Sequence, residues 1–187
     1  MAVETEVKLR LPQGPERAKA LLEQHGFRAN GPRQLETNQT FDLPTGELRR
    51  SGRLLRLRSA GECWTVTYKG PAADNTRHKS REEIETEVSD GAAFADILEA
   101  LGYQPSFAYE KYRTTFEAPG EEGIVTLDQT PIGDFLELEG PESWIDRTAL
   151  RLGFGPADYI TSSYAALYEE HRRTHPAVPG NMEFHRP

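Results

Sequence analysis

Charged and apolar residues alternate along several stretches of the chain, with the period of two that is typical of β-strands. The first stretch has a charged set, Glu4, Glu6 and Lys8, and an apolar set, Val3, Val7 and Leu9. The alternation recurs at 55–58, 81–85, 111–113 and 136–139. Two arrangements fit this pattern: an ordinary antiparallel sheet with a solvated charged face, or a sheet closed on itself whose charged face lines an aqueous lumen. The recurrence of both signs on nearly every strand is the argument for the closed sheet.

The remaining pattern predicts an α+β fold, with helices between groups of mostly antiparallel strands. Turn residues and the period of two predict strands at 2–11, 34–42, 53–59, 62–69, 80–88, 106–117, 124–130 and 134–140. Helical spacing predicts helices at 15–25, 91–101, 143–152 and 160–173. The polar segment 70–79 is predicted to be a mobile loop. We expect one domain over residues 1–174, followed by a flexible tail at 175–187.

Composition limits the classes of protein to consider. At 187 residues the chain is long enough for one domain with a substantial core. A net charge of −8 argues against non-specific nucleic-acid binding. No apolar run approaches the roughly 20 residues that span a bilayer, the N-terminus lacks a signal-peptide pattern, and the single Cys63 suits a reducing compartment. We therefore expect a cytoplasmic protein without a membrane partner, and a homodimer is compatible with the sequence.

Acids and bases on the proposed inner face are close to balanced in number. The acids are Glu4, Glu6, Glu83, Glu85, Asp128, Glu137 and Glu139, and the bases are Lys8, Arg56, Arg58, Lys69, Arg81, Lys111 and Arg113. Removing so many charges from water is costly unless partners compensate, so a dry interior with this lining is implausible. A hydrated lumen that holds a polyanion and divalent cations would be stable, because carboxylates suit Mg²⁺ or Mn²⁺ and guanidinium groups suit phosphate.

Several of these stretches, taken in order, resemble the motifs of the CYTH superfamily, the triphosphate tunnel metalloenzymes. Residues 4–8 resemble its ExExK signature, 54–58 its LRxR strand, 67–71 its TyKgp segment, 81–85 its ReExE strand, 111–113 its KxR pair, 127–128 its lone Asp strand, 133–139 its GxFxExE strand and 163–164 its SY pair. ExExK alone would be a weak signal, but the ordered set spans about residues 2 to 168. The chain is therefore similar to this superfamily over nearly its whole length.

The resemblance implies an eight-stranded antiparallel β-barrel with helices packed outside, whose tunnel binds a triphosphate together with Mg²⁺ or Mn²⁺. It implies that the triphosphate is bound by Lys8, Arg56, Arg58, Lys69, Arg81, Lys111 and Arg113. It implies that metal is bound by Glu4, Glu6, Asp128, Glu137 and Glu139, with Glu83 and Glu85 in support. Within these sets, catalysis is assigned to Glu4, Glu6, Lys8 and Lys69.

The family motifs leave the reaction open. Hydrolysis of inorganic tripolyphosphate needs no nucleoside pocket, and none can be identified in the sequence, so we expect a metal-dependent triphosphatase. The alternative is a class IV adenylyl cyclase that converts ATP to cyclic AMP and pyrophosphate, because segments such as 68–71 and 101–103 resemble that branch. A thiamine or nucleoside triphosphatase and a non-catalytic polyphosphate-binding module are further alternatives.

Other residues with reactive side chains receive no role. His171 and His175 have the spacing of a metal pair on one helix face, but they lie at a helix end and are predicted to be solvent-exposed. His78 falls in the polar loop. Trp64 and Val66 are predicted to pack outside the barrel, under the helices.

Overall fold

A computed structural model describes residues 2–73 and 77–185 as nine strands, five α-helices and one 3₁₀-helix. The strands are β1 (Ala2–Arg10), β2 (Arg28–Ala29), β3 (Gln34–Asp42), β4 (Leu54–Ala60), β5 (Cys63–Lys69), β6 (Lys79–Val88), β7 (Gln104–Glu117), β8 (Ile124–Thr130) and β9 (Gly133–Glu139). The helices are α1 (Pro15–Gln24), α2 (Glu47–Arg50), α3 (Gly91–Ala100), α4 (Glu142–Arg151) and α5 (Tyr164–Thr174), with the 3₁₀-helix at Pro156–Asp158.

Eight of the strands close into an antiparallel barrel. Their order around the ring is β7-β3-β4-β5-β6-β1-β9-β8, and the ring closes because β7 also pairs with β8. The ninth strand, β2, pairs with the last two residues of β7, outside the ring. The predicted eight-stranded barrel with external helices is confirmed.

Register places the charged side chains of neighbouring strands on one face. Lys8 lies opposite Glu137, and Glu6 lies opposite both Glu139 and Lys79. Residues directly opposite one another in an antiparallel pair share a face of the sheet, so each pairing extends the charged set from strand to strand. Closure of the ring turns this shared face inward.

The apolar faces of the strands point outward and are covered by helices. Leu22 of α1 and Trp144 and Ile145 of α4 are buried in one cluster with residues of β1, β8 and β9. On the other side, Leu98 of α3 packs in a cluster with Val66 and Trp64 of β5, as predicted. The hydrocarbon core is therefore a layer around the barrel rather than its centre. Among the described residues, no helix is long and apolar enough to span a membrane.

Gly91 shows how closely α3 approaches the barrel. A Cβ atom at this position would lie 2.2 Å from the Trp64 ring. Because that contact is far inside van der Waals distance, only glycine allows the helix to begin here.

The start of the last helix differs from the sequence prediction for a local reason. The last helix was expected from residue 160, but Ile160 pairs with the backbone of Lys8 and Ser163 caps the helix through Ala166 N, so α5 begins at Tyr164. The segment predicted as a mobile loop at 70–79 lies partly outside the described residues. At its near end, Ala73 N donates to Ser80 O at 2.8 Å.

The prediction of a flexible tail after residue 174 is wrong for residues up to 185. Met182 is fully buried, and its N–H donates to Ala108 O at 3.0 Å, while its carbonyl accepts from Glu110 N at 2.8 Å. Asn181 Oδ1 accepts from Ala108 N at 3.1 Å. The tail therefore lies along the part of β7 that precedes its pairing with β8. Residues 186 and 187 lie outside the described part of the chain.

This docking predicts a measurable contribution of the tail to stability. Met182→Ala should lower the free energy of unfolding by about 2–5 kcal/mol, because it removes a fully buried side chain from a packed cluster. Leu150→Ala, at a site that is 75% exposed, serves as the control and should change that free energy little. Urea denaturation followed by tryptophan fluorescence measures both. Equal effects of the two substitutions would mean that the tail does not pack in solution.

Candidate active site

A cavity of about 490 Å³ occupies the interior of the barrel. All of the predicted site residues except Asp128 line it: Glu4, Glu6, Lys8, Arg56, Arg58, Lys69, Arg81, Glu83, Glu85, Lys111, Arg113, Glu137 and Glu139. The structure thus brings together side chains from six strands that are far apart in sequence. This convergence follows from the period of two within each strand and from closure of the ring.

One wall of the cavity is basic, and we call Arg56, Arg58, Lys111 and Arg113 the basic wall. They project from β4 and β7, which flank β3 on its two sides. The guanidinium of Arg56 donates to Thr67 Oγ1 at 2.9 Å, and Arg58 Nε donates to Asn38 Oδ1 at 3.2 Å. Burial and the nearby charge of Arg56 lower the pKa of Arg58, whereas the charges of Asp128 and Glu137 outweigh burial and raise the pKa of Arg113.

Asp128 lies behind the basic wall and does not line the cavity. Its carboxylate is fully buried and accepts hydrogen bonds from Lys111 Nζ at 2.7 Å, from Arg113 at 2.6 and 2.7 Å, and from the Tyr164 hydroxyl at 2.8 Å. These bonds orient both cations toward the cavity. Both carboxylate oxygens of Asp128 are used by these donors, and its expected role in metal binding stays a prediction.

The opposite wall is formed by β1 with β6 and β9, and we call Glu4, Glu6, Glu83, Glu137 and Glu139 the acidic wall. In the ring, β1 lies diametrically opposite β3. Lysines are set among these carboxylates. Lys8 Nζ lies 3.2 Å from both Glu6 and Glu137, and Lys69 contacts Glu4 and, at 2.7 Å, Glu83. Each of these lysines therefore joins two carboxylates.

The acidic wall still carries more negative charge than its lysines balance. Burial and the charge of Glu4 raise the pKa of Glu139 to about 7. Burial and a hydrogen bond with Glu4 likewise raise the pKa of Glu83 to about 7, so Glu4 and Glu83 share a proton near neutral pH. Carboxylates that repel one another in this way favour any added positive charge.

The chemistry of this donor set fits a hard divalent cation. Within residues 2–73 and 77–185, no three His, Cys, Asp or Glu side chains are already gathered at metal-binding geometry. However, the negative charges of Glu4 and Glu6 raise the pKa of Glu139, because the three carboxylates lie close together. Mg²⁺ and Mn²⁺ prefer carboxylate oxygens, and a cation would relieve this repulsion. Glu4, Glu6 and Glu139 are therefore the residues that could hold a metal, with the lysine contacts of Glu4 and Glu6 loosened.

Comparison with known proteins agrees with this geometry. A sequence profile described as the CYTH domain matches residues 2–146. The chain belongs to the CYTH family. A candidate adenylate cyclase of Methanocaldococcus jannaschii is 33% identical over 93 residues, which are 50% of this chain and 52% of that protein. This CYTH chain thus spans about half the length of the curated relative that it matches.

Solved structures of other proteins share the CYTH fold of this chain. A candidate adenylate cyclase of Vibrio parahaemolyticus superposes with a TM-score of 0.76 and 21% identity, covering 89% of this chain and 97% of its own. A candidate adenylyl cyclase of Hippeastrum, described as having a dominant triphosphatase activity, superposes with a TM-score of 0.66 and 18% identity, covering 91% and 96%. At these identities the likeness shows the fold alone.

Sequence reasoning missed several residues of this CYTH site. Lys79 lines the cavity and donates to Glu6 Oε1 at 2.9 Å. It precedes Arg81 by two positions, so extending the alternation by one step would have found it. Glu36 and Asn38 face the same interior from β3, where they lie opposite Lys111 and Arg58. Their strand has only one charged residue at the inward positions 36, 38 and 40, so the signal was weak.

Two histidine predictions have different outcomes. His78, which received no role, is buried, and its Nε2 lies 2.8 Å from Asp146 Oδ1, which also accepts from the Tyr159 hydroxyl at 2.9 Å. This contact ties the start of β6 to α4. His175 is exposed and His171 is partly exposed, with their rings stacked at 4.1 Å. The prediction of exposed imidazoles is therefore confirmed for His175, while His171 is half-buried against Tyr168.

The raised pKa of Glu139 predicts a pH dependence of stability. In the unfolded chain this carboxyl ionises near pH 4.5, whereas in the native state it keeps its proton until about pH 7. Between these values the native state binds more protons, so its stability falls as pH rises. The free energy of unfolding of the wild type, minus that of Glu139→Gln, should therefore decrease from pH 4.5 to pH 7 and level off above it. Urea denaturation across this range, with chelator present, measures the difference; a flat difference contradicts the assignment.

Proposed function

We propose that this CYTH chain is a divalent-metal-dependent hydrolase of linear triphosphates, with inorganic tripolyphosphate as the leading substrate. The observation that carries the proposal is that the basic wall and the acidic wall line one cavity inside the barrel. A polyanion needs the first wall, and the cations that accompany it need the second. The triphosphatase activity described for the Hippeastrum protein of the same fold supports this choice.

The basic wall would bind the phosphate groups. Arg58, Lys111 and Arg113 are already oriented by Asn38 and Asp128, so little side-chain freedom is lost when a phosphate binds. Guanidinium groups offer paired donors that match phosphate oxygens, and the low-polarity apolar layer outside the barrel strengthens each contact. The side chains act mainly by positioning and by stabilising charge, which is the principal requirement of phosphoryl transfer.

The acidic wall would hold the metal through Glu4, Glu6 and Glu139. Bound there, a divalent cation supplies charge neutralisation at the phosphate oxygens and lowers the pKa of water. Lys8 and Lys69 line the cavity beside these carboxylates, and their ammonium groups would contact the same phosphates. Lys69 would then exchange its contacts with Glu4 and Glu83 for contacts with substrate.

The cyclase alternative has its own support. The relatives from Methanocaldococcus jannaschii and Vibrio parahaemolyticus carry adenylate cyclase names, the first at 33% identity over half of this chain. A cyclase must also hold adenine and direct the ribose 3′-hydroxyl at the α-phosphate. The apolar side chains that line the cavity, Val3, Leu54 and Ile124, would have to supply that contact. Hydrolysis requires no such contact, and for that reason it is our first choice.

Product analysis distinguishes the candidate reactions. Purified protein is incubated with tripolyphosphate, ATP or thiamine triphosphate, each with Mg²⁺ or Mn²⁺, and phosphate, pyrophosphate and cyclic AMP are measured. We expect tripolyphosphate to be cleaved fastest, to pyrophosphate and phosphate. Cyclic AMP and pyrophosphate from ATP would establish the cyclase instead. Binding of tripolyphosphate without any product would indicate a non-catalytic module.

Removal of one cation should slow turnover without unfolding the protein. Lys69→Ala should lower kcat/KM for tripolyphosphate about 100-fold, corresponding to about 3 kcal/mol of transition-state stabilisation. Lys19→Ala, which removes the same charge from α1, is the control and should leave kcat/KM unchanged. Steady-state kinetics and circular dichroism test both variants. A fully active Arg56→Ala/Arg58→Ala double variant would be incompatible with triphosphate binding at the basic wall.

A further inference from the structure

Asp128 and Glu36 are two of the carboxylates that contact the cations of the basic wall, and they are held in different ways. Glu137 also contacts Arg113 and Lys111. Asp128 accepts short hydrogen bonds from Lys111, Arg113 and Tyr164. Glu36 lies 3.5 Å from Lys111 Nζ, 3.6 Å from Arg58 Nε and 3.9 Å from Arg113 Nε. Asp128 therefore fixes the geometry of the cations, whereas Glu36 contributes mainly its charge.

The carboxylate of Glu36 is buried and under-bonded. Its residue is 6% exposed, and within the described residues its Oε2 atom has no hydrogen-bond partner. Burial would raise the pKa of Glu36, but the charges of Lys111 and Arg113 outweigh burial and lower that pKa to about 2. The group is ionised at every physiological pH. An ionised carboxylate oxygen without a hydrogen bond is costly to bury, and the cations around Glu36 compensate for that cost.

Glu36 acts on the cavity through the cations of the basic wall, among which its carboxylate lies. It does not line the cavity, whereas Arg58, Lys111 and Arg113 do. A phosphate that binds those three cations also comes near the Glu36 carboxylate, because each of the cations lies within 4 Å of it. At about 7 Å and an effective dielectric constant of about 20, one unit charge weakens the binding of a monovalent anion by more than tenfold.

We propose that Glu36 is a specificity-determining counter-charge that limits the affinity of the basic wall for phosphate groups. It weakens the binding of a pyrophosphate product, which leaves more easily as a result. The affinity for a triphosphate is lowered by a smaller factor, because a triphosphate also reaches Lys8, Lys69 and the carboxylates proposed to bind metal. This inference rests on the proposed function.

Calorimetric titration with pyrophosphate, in chelator and at fixed ionic strength, tests the proposal directly. Glu36→Gln should bind pyrophosphate about tenfold or more tightly than the wild type, because the substitution keeps the shape and removes the charge. Glu36→Asp keeps the charge and should bind within about twofold of the wild type. Glu99→Gln makes the same chemical change on an exposed position of α3 and should also leave binding unchanged. In turnover assays, pyrophosphate should inhibit Glu36→Gln at correspondingly lower concentration.

The outcomes separate this proposal from the proposed function. If the wild type binds and cleaves tripolyphosphate but folded Glu36→Gln binds pyrophosphate no more tightly, the counter-charge role is wrong and the hydrolase stands. If the wild type binds neither tripolyphosphate nor pyrophosphate, the proposed function fails first. Glu36→Ala removes the charge by a second route. Should both charge-removing variants unfold, Glu36 is a structural ion and the proposal is overturned.

Discussion

Charge compensation inside a closed barrel is the constraint on which the rest of the structure depends. Isolated charges cannot be buried cheaply, yet the interior of this barrel is lined by acids and bases from six strands. They are tolerated because nearly every cation contacts a carboxylate, as in the Lys8 contacts with Glu6 and Glu137. These contacts lie within one strand or between neighbouring strands, and closure of the ring gathers them around one cavity. The hydrocarbon core is displaced to the outer faces of the strands, where α1, α3 and α4 cover it.

The charges that line the cavity are unevenly compensated, and this determines which ligands the cavity favours. On the basic wall, mutual repulsion and burial lower the pKa of Arg58. On the acidic wall, burial and repulsion raise the pKa of Glu139 to about 7. Arg58 and Glu139 are therefore less well compensated than Arg113 and Glu137, whose pKa values shift in the opposite directions because ions of opposite charge lie beside them. A polyphosphate and its divalent cations supply negative and positive charge together, and few other small ligands do.

Much of this arrangement could be predicted from the sequence because strand geometry is local. A period of two is enough to assign Glu4, Glu6 and Lys8 to one face, and the ordered motifs identify the closed barrel. What could not be predicted depends on contacts between distant segments. The alternation does not reveal that Asp128 lies behind Lys111 and Arg113, because its face is correct and only the packing of Tyr164 against it determines its depth.

The residues that were missed have weak local signals for the same reason. Glu36 lies on a strand with few charges, so its place among the cations appears only once β3 lies between β4 and β7. Met182 lies in a segment rich in proline and polar residues, which reads as loose, although β7 offers it an unpaired edge. His78 has a buried position because α4 supplies Asp146. None of these partners is close in sequence.

A crystal structure of the protein with tripolyphosphate and Mn²⁺ tests the central claim most directly. The account predicts phosphate groups inside the barrel, in contact with Arg58, Lys111 and Arg113, and metal density beside Glu4, Glu6 and Glu139. Tripolyphosphate bound on the outer surface, with these side chains still paired only to one another, would contradict it.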